Sequence, residues 1–338
     1  MEKNAIDIKQ KKYQQGFSLI EFMVAIVISM AVVIAASYVY LNTRETQRTL
    51  SEKAFMFESA RFAMDIIGRD IENAGFYPII RAENAATRIA TTTAQEYTPP
   101  ISLSTVPAFI SHVFGCSSER FLPVTSVCGA QPTGVDADSL VVNYFTNDAF
   151  GLDSGQRSDC QRQEVGRAAE NADRLPAGFT SASAAVRSQM LPARPFFVSN
   201  RYTLSPVAME VEGRTINTSG LACNGNGVSS AGNTYQPIIT GIDQLRFTYM
   251  VRTGAKPDYR HKFFLASKVT DDANWPNVIG IKVCLLARSL EGARANRAVP
   301  YTLADCTGAN PTFADGAERR VFSQVFMIRS KLSDPIVF

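Results

Sequence analysis

The stretch Gly16-Phe17-Ser18-Leu19-Ile20-Glu21 begins an apolar run that decides how the first part of this 338-residue chain folds. From Phe17 to Leu41 the run has 25 residues, and Glu21 is its one charged side chain. About 20 apolar residues in a helix are enough to cross a bilayer. A charge at that depth costs about 3 kcal/mol on insertion scales, so Glu21 is expected to have both a partner and a function.

The sequence itself suggests a partner for the Glu21 carboxylate. A peptide-bond cut after Gly16 would give Phe17 a free amine, and Glu21 lies four residues further along the same helical face. Before such a cut the nitrogen of Phe17 is a neutral amide. We therefore expect cleavage to create the cation that an acid inside the membrane needs.

The segment before the cut is basic. Residues 1–16 contain four Lys against Glu2 and Asp7, a net charge of +2. By the positive-inside rule this places the N-terminus in the cytoplasm and the bulk of the chain in the periplasm. An ordinary secretory signal is cut after its apolar core and loses that core. A plain single-pass anchor remains an alternative, but it leaves Glu21 and the Gly16-Phe17 junction without a role.

The run Lys11-Lys12-Tyr13-Gln14-Gln15-Gly16-Phe17-Ser18-Leu19-Ile20-Glu21 resembles the class III signal of type IV prepilins and pseudopilins. In that family a membrane peptidase cuts after the glycine and then methylates the new terminal Phe. The resemblance therefore implies leader-peptidase cleavage between Gly16 and Phe17 and N-methylation of Phe17. It also implies that Glu21 is the carboxylate used in subunit assembly.

The segment Phe17–Ala74 contains no proline, which permits one continuous helix. Its first half is apolar all round, and its second half is amphipathic. The apolar stripe predicted for the second half recurs at spacings of three and four and consists of Leu50, Ala54, Phe57, Ala60, Met64, Ile67, Ile71 and Ala74. Gly75 is expected to end the helix, and Pro78 prevents it from resuming.

Beyond Gly75 the pattern changes to short strands separated by polar loops. The predicted strands are 139–145, 196–199, 201–204, 208–211, 243–251, 278–287 and 321–328. Two long segments, Ala85–Pro107 and Gly151–Pro195, are predicted to be loops or insertions, the second with a short helix near Val165–Asp173.

These elements and the resemblance predict an α+β pilin fold. A long N-terminal transmembrane and amphipathic helix is expected to pack on a C-terminal antiparallel β-sheet domain with long loops. The expected organisation is a cleaved leader (1–16), a transmembrane half-helix (17–41), an amphipathic half-helix (42–75) and a periplasmic β-rich globular domain (76–338).

All six cysteines lie beyond the apolar run, on the side predicted to face an oxidising compartment. Six cysteines allow fifteen disulfide connectivities. Pairing of sequence neighbours is favoured here, which gives Cys116–Cys128, Cys160–Cys223 and Cys284–Cys306. No two cysteines have the C-x-x-C spacing of a zinc or thioredoxin-like site.

Three further blocks resemble PilW-type minor pilins. They are Arg69-Asp70-Ile71-Glu72-Asn73-Ala74-Gly75-Phe76, Gly241-Ile242-Asp243-Gln244-Leu245-Arg246-Phe247 and Arg319-Arg320-Val321-Phe322. The resemblance implies a minor pilin of the tip or priming complex that initiates pilus assembly, with motility, adhesion or DNA uptake downstream. The expected location is the inner membrane, by a single span, and then the pilus tip.

The resemblance also implies a set of partners: other minor pilins, the major pilin, the prepilin peptidase and methyltransferase, the inner-membrane assembly platform and membrane lipid. A related alternative is the large minor pseudopilin of type II secretion. An alternative of another class is a single-pass, membrane-anchored periplasmic enzyme.

The sequence offers little support for the enzyme alternative. Its two histidines, His112 and His261, lie in no H-E-x-x-H or other metal-binding pattern, and no cofactor is expected. The pairs Asp136/Asp138 and Asp271/Asp272 have carboxylates of the kind that bind calcium, but the twelve-residue calcium loop is absent.

A net charge of +3 implies no strong field for polyanions, so nucleic acid is expected only as an indirect partner. The residues weighed for such contact are Arg194, Arg201 and Lys256 with Tyr202 and Tyr259. Scattered basic residues of this kind usually form solvated surfaces.

Overall fold

The computed structural model describes nine stretches of the chain, which are 18–76, 111–146, 158–163, 165, 196–211, 213–227, 234–254, 258–290 and 299–332. The chain divides into two units, Met1–Ser51 and Glu52–Phe338.

The predicted long helix is α1 (Leu19–Asn73), and it contributes residues to both units. Within the first unit, residues 18–47 are exposed along their whole length. The helix ends where the sequence predicted, because Gly75 has φ +67°, a conformation that suits glycine at a helix C-terminus. The Gly75 N–H donates to the carbonyl oxygen of Asn143 at 2.8 Å, which ties the end of the helix to a strand.

Fourteen strands, two short α-helices and one 3-10 helix (Trp275–Asn277) follow in the described part of the second unit. In chain order the strands are β1 (Val113–Cys116), β2 (Glu119–Leu122), β3 (Val127–Ala130), β4 (Asp136–Ala137), β5 (Ser139–Thr146), β6 (Phe196–Val211), β7 (Arg214–Asn224), β8 (Gln236–Thr240), β9 (Ile242–Thr253), β10 (Arg260–Phe264), β11 (Val278–Arg288), β12 (Tyr301–Thr302), β13 (Thr312–Phe313) and β14 (Arg319–Met327). The short helices are α2 (Ala266–Asp271) and α3 (Arg329–Leu332).

The strands form two principal sheets rather than the single sheet predicted from sequence. The first has the antiparallel order β1-β5-β6-β7-β8. The second has the antiparallel order β10-β9-β11-β14, and β4 joins it by a short parallel pairing with β9. The hairpins β2-β3 and β12-β13 stand apart. The α+β class predicted from sequence is confirmed.

One face of α1 packs into a core to which both sheets contribute. The fully or nearly fully buried apolar residues are Met56, Ala60, Ala63, Met64, Ile67 and Ile71 in the helix and Ala74 directly after it. The predicted stripe was wrong at its beginning, because Leu50, Ala54 and Phe57 are exposed. The spacing 56–60–63–67–71–74 follows the helical repeat and places Met56 on the buried face instead.

The long strand β6 replaces three predicted short strands. The predicted strands were separated at Asn200 and at Ser205-Pro206-Val207, yet β6 pairs with β7 without a register shift from Arg201 to Val211. Pro206 is tolerated there because β5 pairs with β6 only as far as Tyr202, so one side of β6 is open at the proline.

The predictions for β5, β9, β11 and β14 are confirmed to within one or two residues at each end. The sequence did not predict β7, in which Thr, Asn, Ser and Gly obscure the usual strand composition, or β8, which contains Pro237. It also did not predict the short strands β1–β4, β10, β12 and β13. The loops Ala85–Pro107 and most of Gly151–Pro195, with the short helix near Val165–Asp173, lie outside the described residues.

At Gly68, α1 packs closely against β14. A Cβ atom built on Gly68 would lie 2.2 Å from Cε1 of Phe326, whose side chain is buried. The missing side chain therefore makes room for the aromatic ring, at the cost of a residue with poor helix propensity.

We predict that Gly68→Ala destabilises the protein although alanine favours a helix by about 1 kcal/mol. Overpacking against Phe326 costs about 1–3 kcal/mol and outweighs that gain. The measurement is urea-induced unfolding of the full chain in detergent.

The substitution Ser51→Ala, at an exposed helix position, is the matched control and is expected to leave stability unchanged or slightly raised. Phe326→Leu combined with Gly68→Ala should cost less than the sum of the two single changes. Strict additivity would contradict the proposed contact.

Candidate functional site

The first candidate region is the exposed apolar part of α1 in the first unit. Large apolar side chains from Leu19 to Leu41 are at least half exposed to solvent. Among the described residues, α1 is the one helix long and apolar enough to span a membrane. An uncovered apolar surface of this length implies lipid or another protein as its surroundings.

Glu21 lies at the third position of α1 and interacts with the helix start. Its Oε2 accepts a hydrogen bond from the backbone N–H of Ser18 at 3.0 Å. This is half of the capping-box arrangement, in which a Glu three residues after the cap satisfies a backbone donor that the helix leaves free. Gly16 and Phe17 lie outside the described residues, so the pairing of Glu21 with a terminal amine stays a prediction.

The second candidate region is a buried carboxylate in the second unit, where Asp70 joins α1 to the first sheet. Oδ2 of Asp70 accepts hydrogen bonds from the Tyr202 hydroxyl and from Nδ2 of Asn200, both at 2.6 Å. Oδ1 accepts a longer bond from the Tyr144 hydroxyl at 3.3 Å. Three side chains from β5 and β6 therefore converge on one helical residue that is only 9% exposed.

The electrostatics of this cluster are dominated by burial. Burial raises the pKa of the Asp70 carboxyl above its ordinary 3.8, although the hydrogen bonds from Tyr202, Asn200 and Tyr144 act in the opposite direction. Burial and the neighbouring carboxylate raise the pKa values of Tyr202 and Tyr144 well above 10. Both phenols therefore stay protonated and remain hydrogen-bond donors.

The sequence did not predict a role for Asp70 alone, although its position on the helix indicates that it is buried. Positions 63, 67, 70 and 74 share the buried helical face, so a carboxylate at 70 has to enter the core. The residues that receive it, Tyr144, Asn200 and Tyr202, are distant in sequence and gave no comparable signal.

The six cysteines form the three disulfides Cys116–Cys128, Cys160–Cys223 and Cys284–Cys306. This is the pairing of sequence neighbours favoured above. The first joins β1 to β3, the second joins a turn to β7, and the third joins β11 to the loop after β12. The second closes the longest loop, with a sequence separation of 63, and in the chain-entropy model it stabilises most.

One arginine cluster joins residues of the second and third PilW-like blocks. Arg319 on β14 contacts Asp243 on β9 at 2.7 Å and Asp315 at 2.6 Å. Arg288, on the intervening β11, lies 3.8 Å from Asp243. The hydrogen bond from Arg319 lowers the pKa of Asp315 to about 2. The two blocks thus meet across three strands of the second sheet.

The aspartate pairs considered for calcium have other partners. Asp136 and Asp138 both contact Arg246, and Asp138 also accepts the backbone N–H groups of Ser118 and Phe247 at 2.7 and 2.9 Å. Asp272 pairs with Lys268 at 2.8 Å. Within the part of the chain that the structure describes, no group of three or more metal-ligating side chains occurs.

The histidines take different positions. His112 is buried, and its Nε2 donates to the carbonyl oxygen of Val278 at 2.9 Å. Burial, helped by the charge of Lys331, lowers the pKa of His112 to about 3, so its ring is neutral at physiological pH. His261 is exposed on β10.

The residues weighed for nucleic-acid contact do not form a surface. Arg201 is buried and donates to Oδ1 of Asn224 at 2.7 Å. The hydroxyl of Tyr202, which is also buried, donates to Oδ2 of Asp70. Their inclusion in that set was wrong, because both belong to the core. Tyr259 lies beneath Arg252, while Arg194 and Lys256 lie outside the described residues.

Two family models match the chain. Residues 11–37 match the prokaryotic N-terminal methylation motif, and residues 206–330 match type IV pilus-assembly protein W. The second match runs from the middle of β6 to α3 and includes the second and third PilW-like blocks, while the first block, with Asp70, lies outside it. No curated protein and no solved structure matches the chain significantly.

An exposed apolar N-terminal helix with a methylation motif, joined to an antiparallel β domain, defines the class of type IV pilins. Within this class the chain is PilW-like over residues 206–330, which supports a minor pilin of type IV pilus assembly. The family matches indicate a structural component of the pilus and suggest interaction with other pilus components, and the apolar N-terminal helix is consistent with a membrane-anchored pilin.

We predict that Asp70→Ala lowers the free energy of unfolding by roughly 2–4 kcal/mol, since each buried donor left without an acceptor costs about 1–3 kcal/mol. The matched control is Asp65→Ala on the exposed face of α1, where the pair with Arg69 is worth less than about 0.5 kcal/mol. Denaturant unfolding of both variants measures the difference. Equal losses would show that the Asp70 hydrogen bonds do not stabilise the fold.

A second prediction concerns the pH dependence of stability. Because the folded-state pKa of Asp70 is raised, the folded chain binds its proton more tightly than the unfolded chain does. The contribution of Asp70 to stability is therefore greatest below its unfolded pKa of 3.8 and declines as pH rises through the folded value.

Asp70→Asn removes this titration and keeps the shape of the side chain. As pH rises from about 4, the unsubstituted chain loses the contribution of Asp70 to its free energy of unfolding, whereas Asp70→Asn has no such contribution to lose. The stability of the variant relative to the unsubstituted chain should therefore increase with pH. Unfolding curves at several pH values measure it. A difference that stays constant with pH would contradict the raised pKa.

Proposed function

We propose that the chain acts in the tip or priming complex that initiates type IV pilus assembly. The observation that carries the proposal is a single carboxylate, Glu21, in an exposed apolar helix that matches the N-terminal methylation motif. Such a helix buries its apolar surface first in lipid and then among equivalent helices of a fibre. The carboxylate needs a cation in both surroundings.

In this proposal the prepilin peptidase cuts after Gly16 and the new amine of Phe17 is methylated. A secondary ammonium group at Phe17 keeps its positive charge, so Glu21 of one subunit can neutralise the terminus of an adjoining subunit. A subunit at the very top has no earlier amine to neutralise. Since the chain retains Glu21, we place it just below the top of the tip complex.

The proposed organisation assigns 1–16 to a cytoplasmic leader, 17–41 to the membrane and 42–75 to the helix that carries the globular domain 76–338 in the periplasm. The three disulfides support an oxidising compartment for that domain. The proposed partners are the other minor pilins, the major pilin, the processing peptidase and the inner-membrane assembly platform. The proposed final location is the pilus tip at the cell surface.

We predict that Glu21→Ala and Glu21→Gln both keep the chain out of sheared pili while leaving cleavage after Gly16 intact. The glutamine variant is decisive, because Gln accepts the Ser18 N–H in a capping box but carries no charge. Immunodetection in sheared pili measures incorporation. Mass spectrometry of the N-terminal peptide measures processing and should find N-methylphenylalanine at Phe17.

Glu45→Gln removes an acid further along α1 and is the matched control, with normal incorporation expected. Normal incorporation of Glu21→Gln would show that Glu21 serves only to cap the helix, and would contradict its pairing with a terminal amine. A strain that lacks the chain should lose most of its surface pili. Intact pili with impaired protein secretion in that strain would instead indicate a secretion pseudopilus.

A further inference from the structure

The last strand, β14, is an open edge of the second sheet. Within the described residues β14 pairs with β11 on one side, and the strand order of the sheet ends there. The pairing runs from Gly280↔Met327 to Arg288↔Arg319 without a register shift. A regular edge of this kind presents a row of backbone donors and acceptors that another strand can use.

The hydrogen-bond pattern identifies which residues face the open side. Glu318 directs its carbonyl oxygen to the N–H of Ser289, and Ile328 donates its N–H to the carbonyl oxygen of Ile279. In an antiparallel ladder inward and outward residues alternate. The even-numbered residues therefore point their backbone groups toward β11. Val321, Ser323, Val325 and Met327 point theirs outward.

The other sheet edges have protection along their length, whereas the charged residues of β14, Arg319 and Arg320, lie only at its start. The exposed edge β10 has three polar or charged side chains in a row, Arg260, His261 and Lys262. The edge strand β8 contains Pro237, and all four residues of β1 are buried. Charges, prolines and burial are the usual means of preventing strand addition.

Nothing comparable is present along residues 321–328. This segment contains no charged residue and no proline, and residues 323–325 are exposed, with Val325 42% accessible. Because soluble proteins protect their edges against aggregation, an unprotected edge of this length indicates a surface that is covered in the functional state.

A groove of about 480 Å³ runs between β14 and the second half of α1. Its walls include Met64 and Gly68 on the helix and Phe322 and Phe326 on the strand. Two ion pairs lie at the groove, Arg69 with Asp65 and Arg329 with Glu72, and Arg61 also lines it. The groove thus offers apolar contact with little net charge, which suits an extended segment with uncharged side chains.

We propose that β14 binds an extended, uncharged strand of another pilus subunit by β-augmentation. The added strand hydrogen-bonds to the outward backbone groups of Val321, Ser323, Val325 and Met327 and places alternate side chains in the groove. A partner surface without an exposed strand, such as a helix, does not offer alternating backbone donors and acceptors at the spacing of this edge. The inference rests on the proposed function, because it requires that the chain meet other subunits.

Substitutions at the outward positions test the edge without breaking the ladder to β11. Ser323→Pro removes an outward N–H and blocks the edge, whereas Ser323→Ala keeps the N–H and is the matched control. Val325→Lys adds a charge to the edge, and Val124→Lys makes the same change at another exposed valine, 66% accessible, outside this strand. Denaturant unfolding of each full chain establishes that the variants fold.

The expected result is that Ser323→Pro and Val325→Lys lower incorporation into sheared pili roughly tenfold or more, while both controls stay normal. If folded Val325→Lys enters pili normally in a strain that needs the chain for piliation, the edge proposal is wrong and the proposed function stands. If the strain lacking the chain is fully piliated, the proposed function itself fails.

Photo-crosslinking identifies the occupant. A photoreactive phenylalanine analogue in place of Val325, in the full chain in piliated cells, should crosslink to a strand of another pilus subunit, read by sequencing the linked peptides. A crosslink to residues 77–110 or 333–338 of the same chain, to a second copy of this chain, or no crosslink at all would overturn the proposal.

Discussion

The structure depends on how the helix α1 accommodates two acidic side chains, Glu21 and Asp70, on its apolar surfaces. Asp70 is satisfied within the chain, by donors from Tyr202, Asn200 and Tyr144. Glu21 finds only the N–H of Ser18 among the described residues, and its apolar neighbours are exposed. The first acid belongs to a completed core. The second belongs to a surface that is completed by something outside this chain.

The sequence predicted those features that depend on local pattern. The proline-free apolar run, the glycine after it and the alternation in β9 predicted elements that the structure contains. The features that depend on distant partners were not predictable. Asp70 is buried because β5 and β6 bring three donors to it, and β6 stays continuous at Pro206 because β5 has already ended. Neither circumstance is visible in a window of neighbouring residues.

The same distinction explains the residues whose chemistry was overestimated. Arg201 and Tyr202 resemble a nucleic-acid contact in sequence, yet the fold uses one to bind Asn224 and the other to bind Asp70. Asp136 and Asp138 resemble calcium ligands in sequence, yet both carboxylates accept hydrogen bonds from Arg246. Buried charges require partners, so a polar cluster in the sequence of a β-rich domain is often a structural ion pair. The arginine blocks at 241–247 and 319–322 are of this kind, and both lie within the matched family region.

Gly68 has a mechanical consequence. Glycine lowers the local stiffness of a helix, and here the ring of Phe326 braces the position from the side. If α1 is loaded in a fibre, the contact between Gly68 and Phe326 would transmit part of that load to β14. A segment that fastens onto β14 would hold that ring in place, so the resistance of the helix to bending under load would rise when a neighbour engages.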